Sequence, residues 1–123
     1  VTPILTKSYK AEAAVAGRRI VKFGTADNQV IQAAAVADLS VGIAERVGAA
    51  INEQCDVIVA GIAECQAGGA ITRGDFLTSD ATGKALASAP AAGVNNRVVG
   101  IALASGVLDD FIPVLLAQGR IQG

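Results

Sequence analysis

Apolar residues in this chain come in short runs, and Gly, Asn or Asp interrupts them roughly every ten residues. That rhythm predicts strands joined by tight turns, an all-β fold of the small barrel or sandwich type. The predicted strands are Ser8–Ala13, Arg19–Phe23, Gln29–Ala34, Val41–Glu45, Asp56–Glu64, Phe76–Ser79, Lys84–Ala87, Val98–Ala104 and Phe111–Leu116. Pro113 has no amide hydrogen to give to a ladder, so the last strand is expected at an edge or paired on one side only.

Alanine complicates one region. Val36, Leu39, Ile43 and Val47 fall at helical spacing within the Ala-rich stretch Ala33 to Ile51. Gly42 and Gly48 interrupt it, each costing up to about 1 kcal/mol in a helix interior. A strand is expected there, with room for at most one short helix. Gly-Ile-Ala recurs at Gly42, Gly61 and Gly100. Its unequal spacing is not that of a solenoid, but it points to equivalent positions where Gly permits a bulge or a close backbone approach. From Cys55 to Cys65 both alternating faces are apolar in the middle, the pattern of a strand buried on both sides. In a chain this small, another subunit is the expected cover for the second face.

The 123 residues predict one domain able to bury roughly two-thirds of its unfolded surface. Residues 1–17 read as an N-terminal arm with the first strand, and 18–123 as the β domain. Hydrophobic residues make up 52% and aromatics only 3%, with no Trp, His or Met. Val1 is small enough to permit removal of an initiator methionine. The N-terminus shows no signal-peptide pattern, and the longest apolar run, Val98 to Leu108, is far short of the roughly 20 residues of a spanning helix. No membrane partner is therefore expected. A mean hydropathy of +0.50 without a membrane signal points to apolar surface hidden in an oligomer or against a partner.

Charge and cysteine content narrow the chemistry. A net charge of −1 argues against nucleic acid as a partner. The distribution is uneven: Lys7, Lys10, Arg18, Arg19 and Lys22 face Glu12 alone among the first 22 residues. A basic arm of that kind suits an acidic partner surface, and equally a strand with solvated cations. Cys55 and Cys65 would stand roughly 33 Å apart on one straight strand, beyond disulfide reach. They read first as small buried hydrophobes, with a disulfide as the alternative if the strand bends at Gly61, and two thiols with no His make a poor metal set.

The stretch from Ile71 to Ala87 looks most like a site, with Arg73-Gly74-Asp75, Asp80 and Gly83-Lys84. A phosphate-binding loop needs Gly, four residues, then Gly-Lys-Ser/Thr, but Thr78 and Ala85 occupy two of those positions. Asp75 and Asp80 are too sparse for a calcium loop. Asp80-Ala81-Thr82-Gly83 instead fits a three-residue hairpin, with Asp accepting a local amide and Gly at positive φ. Gly68, Gly69, Gly74 and Asp75 complete a set of structural turn residues. A Ser–His or Cys–His arrangement is impossible without His, and no Ser sits in a Gly-x-Ser-x-Gly elbow. No catalytic, cofactor or metal residues are assigned, and an enzyme is not expected.

The run Ala67 to Ala85 resembles the capsid cement, or decoration, proteins of tailed bacteriophages. The resemblance rests on Gly68-Gly69, then Gly74-Asp75-Phe76-Leu77, then Ser79-Asp80-Ala81-Thr82-Gly83-Lys84-Ala85. It continues in the opening from Pro3 to Gly24, in Val41-Gly42-Ile43-Ala44 and Val99-Gly100-Ile101-Ala102, and in Pro113 to Leu116. Phe76 departs from the family's habit of Pro or a small residue. The resemblance implies a virion protein made in the bacterial host cytoplasm. It would bind the capsid exterior and reinforce contacts between major capsid protein subunits. It would act as a homo-oligomer, a trimer ahead of a dimer. Thr2, Pro3, Ile4, Leu5, Lys7 and Lys10 are the expected capsid contacts. Two other readings stay open: a small oligomeric β enzyme that binds nucleotides, and a tail or fibre component of the same particle.

Overall fold

A computed structural model describes residues 2–123; Val1, the first residue of the predicted arm, lies outside them. The strands are β1 (Thr2–Ala11), β2 (Ile20–Phe23), β3 (Gln29–Gln32), β4 (Ser40–Ala44), β5 (Gln54–Gln66), β6 (Phe76–Ser79), β7 (Ala85–Ala87), β8 (Asn95–Ala102) and β9 (Phe111–Gln122). Every predicted strand has its counterpart. There is no helix among the described residues, and the Ala-rich stretch folds as β4 between turns.

The strand order is β1-β3-β2-β4-β5-β9-β8-β6-β7, with β1 also paired to β5. The first five strands therefore close a ring. A parallel bridge between Ala67 and Ala85 joins the end of β5 to β7 and closes a second ring through β9, β8 and β6. Neither is a clean barrel, because each parallel closure is short: Lys10↔Gln29 and Ala11↔Val30 in the first ring, the single bridge in the second.

The two rings are structural repeats that share β5. Ala11 donates to the Glu53 carbonyl at 2.9 Å, and Ala67 donates to that of Asp110 at 2.8 Å. Ala44 donates to Arg19, and Ala102 to Asp75, both at 2.9 Å. Val15 and Ala49 exchange amide bonds as Ile71 and Gly106 do. Glu53 accepts from the Ala50 amide at 2.9 Å, and Asp110 accepts from that of Val107 at 3.0 Å. Even the left-handed residues correspond: Arg18 with Gly74, Asn28 with Gly83, Asn52 with Asp109. A Cβ at Gly42 would run into the Ile58 carbonyl, as one at Gly100 would into that of Leu115. The Gly-Ile-Ala echo at Gly42 and Gly100 is thus one site used twice.

Two cores follow from this arrangement. Ala11, Val15, Val21, Val30, Val41, Ala44, Cys55 and Val57 fill the first ring. Leu77, Val99, Ala102, Ile112, Val114, Cys65 and Ala67 belong to the second core, joined by Ile20, Ile43 and Ile58 from the first ring's strands. Neighbours along a strand point oppositely, so Val21 faces the first core while Ile20 faces the second. On the second face of β5 the protein's own second half covers Ile58, whereas Ala60 and Ile62 stay half-exposed.

Pro113 departs from expectation. β9 is interior, between β5 and β8. The Pro113 carbonyl accepts from Leu103 at 3.0 Å. Its missing amide hydrogen faces the same side, so the Leu103–Pro113 pair is held by one bond and the β8–β9 ladder stops at Ala102.

Candidate functional site

The predicted arm is β1, and it lies antiparallel along β5 from Thr2↔Ile62 to Lys10↔Gln54. Bulges interrupt the register around Leu5. Gly61 makes this docking possible: its φ is +96°, and a Cβ there would lie 2.5 Å from the Ile4 amide nitrogen. Thr2, Pro3, Ile4, Leu5, Lys7 and Lys10 are all exposed, Ile4 to 81% and Leu5 to 55%. Lys7 reaches Asn28 Oδ1 at 3.3 Å and sits 4.6 Å from the Tyr9 ring centre. β1 is paired to β3 only at Lys10 and Ala11. The Lys10 amide, bonded to the Asn28 carbonyl, marks the side that faces β3. By alternation, the backbone groups of Thr6 and Ser8 point out of the same edge, which is open there.

The basic N-terminal segment divides when folded. Arg18 Nε lies 3.1 Å from Glu64 Oε1, with its guanidinium 4.3 Å from the Phe111 ring centre. Arg19 donates to Gln66 Oε1 at 3.1 Å and to the Thr82 carbonyl at 2.8 Å. Lys22 pairs with Asp38 at 3.4 Å. These three join parts of the protein, which leaves Lys7 and Lys10 as the exposed cations of β1.

The turn residues lie in the second repeat. Asp80 Oδ1 accepts from the amides of Thr82 and Lys84 at 2.8 and 2.9 Å, and Gly83 takes φ +77°. Asp75 Oδ2 accepts from the Thr72 amide at 2.9 Å, beside Gly74 at φ +96°. A Cβ at Gly68 would meet the Asp80 carboxylate, whereas Gly69 has room. Lys84 Nζ sits 2.6 Å from Asp109 and holds that carboxyl below its ordinary range.

The apolar second face of β5 continues across the neighbouring strands, which the sequence alone does not show. Ladder pairs run Thr2–Ile62–Leu115–Ile101–Phe76 across β1, β5, β9, β8 and β6, so these side chains share one outer face. The arm tip and the Gly74–Phe76 segment stand at its two ends. Phe76 is 48% and Leu115 41% exposed. By strand register, Ile20, Ile43 and Ile58 are their counterparts in the first repeat, at 0%, 0% and 5%. The recurring Val-Gly-Ile-Ala was the available signal: Ile43 and Ile101 occupy one position in two repeats with opposite environments.

Concavities are shallow. A groove of about 450 Å³ is lined by Ser8, Tyr9, Lys10, Asn28, Asn52 and Gln54. Another of about 320 Å³ lies between Arg18, Glu45, Arg46 and Glu64. No group of three or more His, Cys, Asp or Glu converges as metal ligands would among the described residues. Cys55 and Cys65 are free and buried, and burial pushes the Cys65 thiol up to about 12.

The phage cement protein family matches residues 2–110, all but the last strand. No curated protein matches the chain. The head fiber gp8.5 N base in bacteriophage phi29 is similar in fold, with TM-score 0.72 and 15% identity over 97% of this chain and 98% of that one. The chain belongs to the phage cement protein family and is an all-β, capsid-associated structural protein of a bacteriophage.

Proposed function

We propose that this protein decorates the exterior of a phage capsid as a homo-oligomer, a trimer ahead of a dimer, and ties neighbouring major capsid protein subunits together. The observation that carries the reading is the tip of β1. It puts Ile4 and Leu5, 81% and 55% exposed, on a strand with one open edge and two exposed cations. Apolar side chains give such a strand affinity, unpaired backbone groups give it register, and Lys7 and Lys10 favour an acidic partner. Each oligomer would carry several such strands, and many modest contacts then multiply by avidity across the shell. The reading assigns no catalysis to any residue.

Co-sedimentation with purified shells lacking this protein tests it. The full chain is expected to saturate the shells. A chain without residues 1–5 is expected to fold and to bind far more weakly. Equal occupancy by the shortened chain would sink the role given to β1. A second reading makes the domain the capsid-seated base of a longer head appendage. The likeness to the phi29 head fiber base favours it, and it would appear as density projecting radially from each site.

A further inference from the structure

The contact between the two repeats has a vacant copy. Within the chain, the Arg18–Ile20 segment wedges between the end of β5 and the turn before β7. The Gln66 amide donates to the Arg18 carbonyl at 2.9 Å, and the Ile20 amide donates to the Gly83 carbonyl at 2.7 Å. Arg19 adds its bond to Gln66, and Ile20, Ile43 and Ile58 close over the second core. In the first repeat, Lys10 stands for Gln66 and Asn28 for Gly83. These two are bonded to each other at 2.8 Å and border the 450 Å³ groove. The segment equivalent to Arg18–Ile20 is Gly74–Phe76. Neither the Gly74 carbonyl nor the Phe76 amide has a hydrogen-bond partner among the described residues.

We propose that the Gly74–Phe76 segment, with the Ile101 and Leu115 face beside it, docks head to tail on the Lys10–Asn28 groove of a second copy. This rests on the homo-oligomer reading above and names the surfaces that build it. The occupant follows from continuity: the face that the first repeat buries on the second is the face that the second leaves bare, and the matching acceptor is at the far end of the same chain. Repeat arrays expose such faces at their termini and cover them with the next unit. The Lys10–Asn28 bond opens, and its donor and acceptor pass to the Gly74 carbonyl and the Phe76 amide. Charge agrees, because the intramolecular Arg19–Gln66 contact becomes Asp75 against Lys10; in this assembly Lys10 faces the second copy, and the tip of β1 with Lys7 is what remains for the capsid. Asp75 keeps one carboxylate oxygen on the Thr72 amide and has the other available. A head-to-tail contact is heterologous, and repetition of it generates a closed ring when the rotation allows.

Sedimentation velocity of the full chain and oxidative cross-linking test this. Phe76→Lys sets a cation against Lys10 and is expected to weaken self-association about thirtyfold or more, the effect of losing an interface hot spot. Asp75→Asn keeps the acceptor for Thr72 and is expected to weaken it about tenfold. Lys10→Cys alone and Asp75→Cys alone should not cross-link. Their mixture should give disulfide dimers, and both changes in one chain should give covalent rings. Oligomers indifferent to Phe76→Lys, or dimers formed by one cysteine variant alone, would overturn this contact while leaving the oligomer reading intact. A wild-type chain that stays monomeric at high micromolar concentration overturns both.

Discussion

Ile20 and Phe76 occupy the same position in the two repeats, and their substitutions should rank opposite to the chemistry of the change. Ile20 is fully buried in the second core. Ile20→Ala removes three carbons, about 2.4 kcal/mol of transfer free energy at roughly 0.8 kcal/mol per buried methylene. The cavity left behind brings the loss to about 3 kcal/mol. Phe76 is 48% exposed on the outer face. Phe76→Lys forfeits only the buried half of the ring, while the lysine stem lies along the same surface with its ammonium in water. The expected loss is about 1 kcal/mol. The milder-looking change should therefore cost more, and lower the melting temperature by roughly 10 °C against a few degrees. Urea denaturation followed by circular dichroism, at chain concentrations low enough to exclude association, measures both. Equal losses, or an unfolded Phe76→Lys chain, would refute the account of a shared position with opposite burial.

Gly61→Ala should detach the tip of β1, since its Cβ would meet the Ile4 nitrogen and the Thr2 carbonyl at 2.5 and 2.6 Å and φ is +96°. Hydrogen exchange at Leu5 and Lys7, whose amides face β5 by alternation, should then rise while the two cores stay protected. Glu12, held down by the Thr25 amide and hydroxyl, Asp56, by Gln54 and Ser8, and Asp109, by Lys84, all lie below their ordinary values of 4.5, 3.8 and 3.8. Lowered carboxyl values stabilise above the unfolded value and lose that contribution as pH falls through the folded one. With no His in the chain, the urea midpoint should be level near neutrality and fall below about pH 4.5. A midpoint that rises on acidification would contradict these contacts. Cys65, raised by burial from 9.0 to about 12, favours the folded state below pH 9 and loses that contribution between those values. Native Cys65 should resist iodoacetamide until urea unfolds the chain, and rapid native labelling would contradict its burial.

The strands were legible because their turns are local chemistry. Asp80 and Gly83 specify a hairpin without help from the rest of the fold, and the strands they join were placed within a residue. β1 was read as starting at Ser8 instead of Thr2, because its first seven residues are all exposed and show no alternation. The double burial of β5 was legible, but its cause was not. A sequence shows that a face is apolar and does not show what covers it, and here the second repeat covers Ile58 and leaves Ala60 and Ile62 half-exposed. That repeat was audible only in Gly-Ile-Ala, where Gly42 and Gly100 are equivalent and Gly61 is not. Its other signs, such as Arg18 matching Gly74 at positive φ, join unlike residues through backbone conformation. The outer face of Phe76, Ile101 and Leu115 stayed hidden for the same reason, since identical motifs in the two repeats lie in opposite environments.

The most direct measurement is a cryo-EM reconstruction of virions that carry this protein beside virions that lack it. The account predicts added density on the capsid exterior, at symmetry positions between capsomers, with β1 lying against the major capsid protein. Identical shells, or the protein found on the tail, would contradict it.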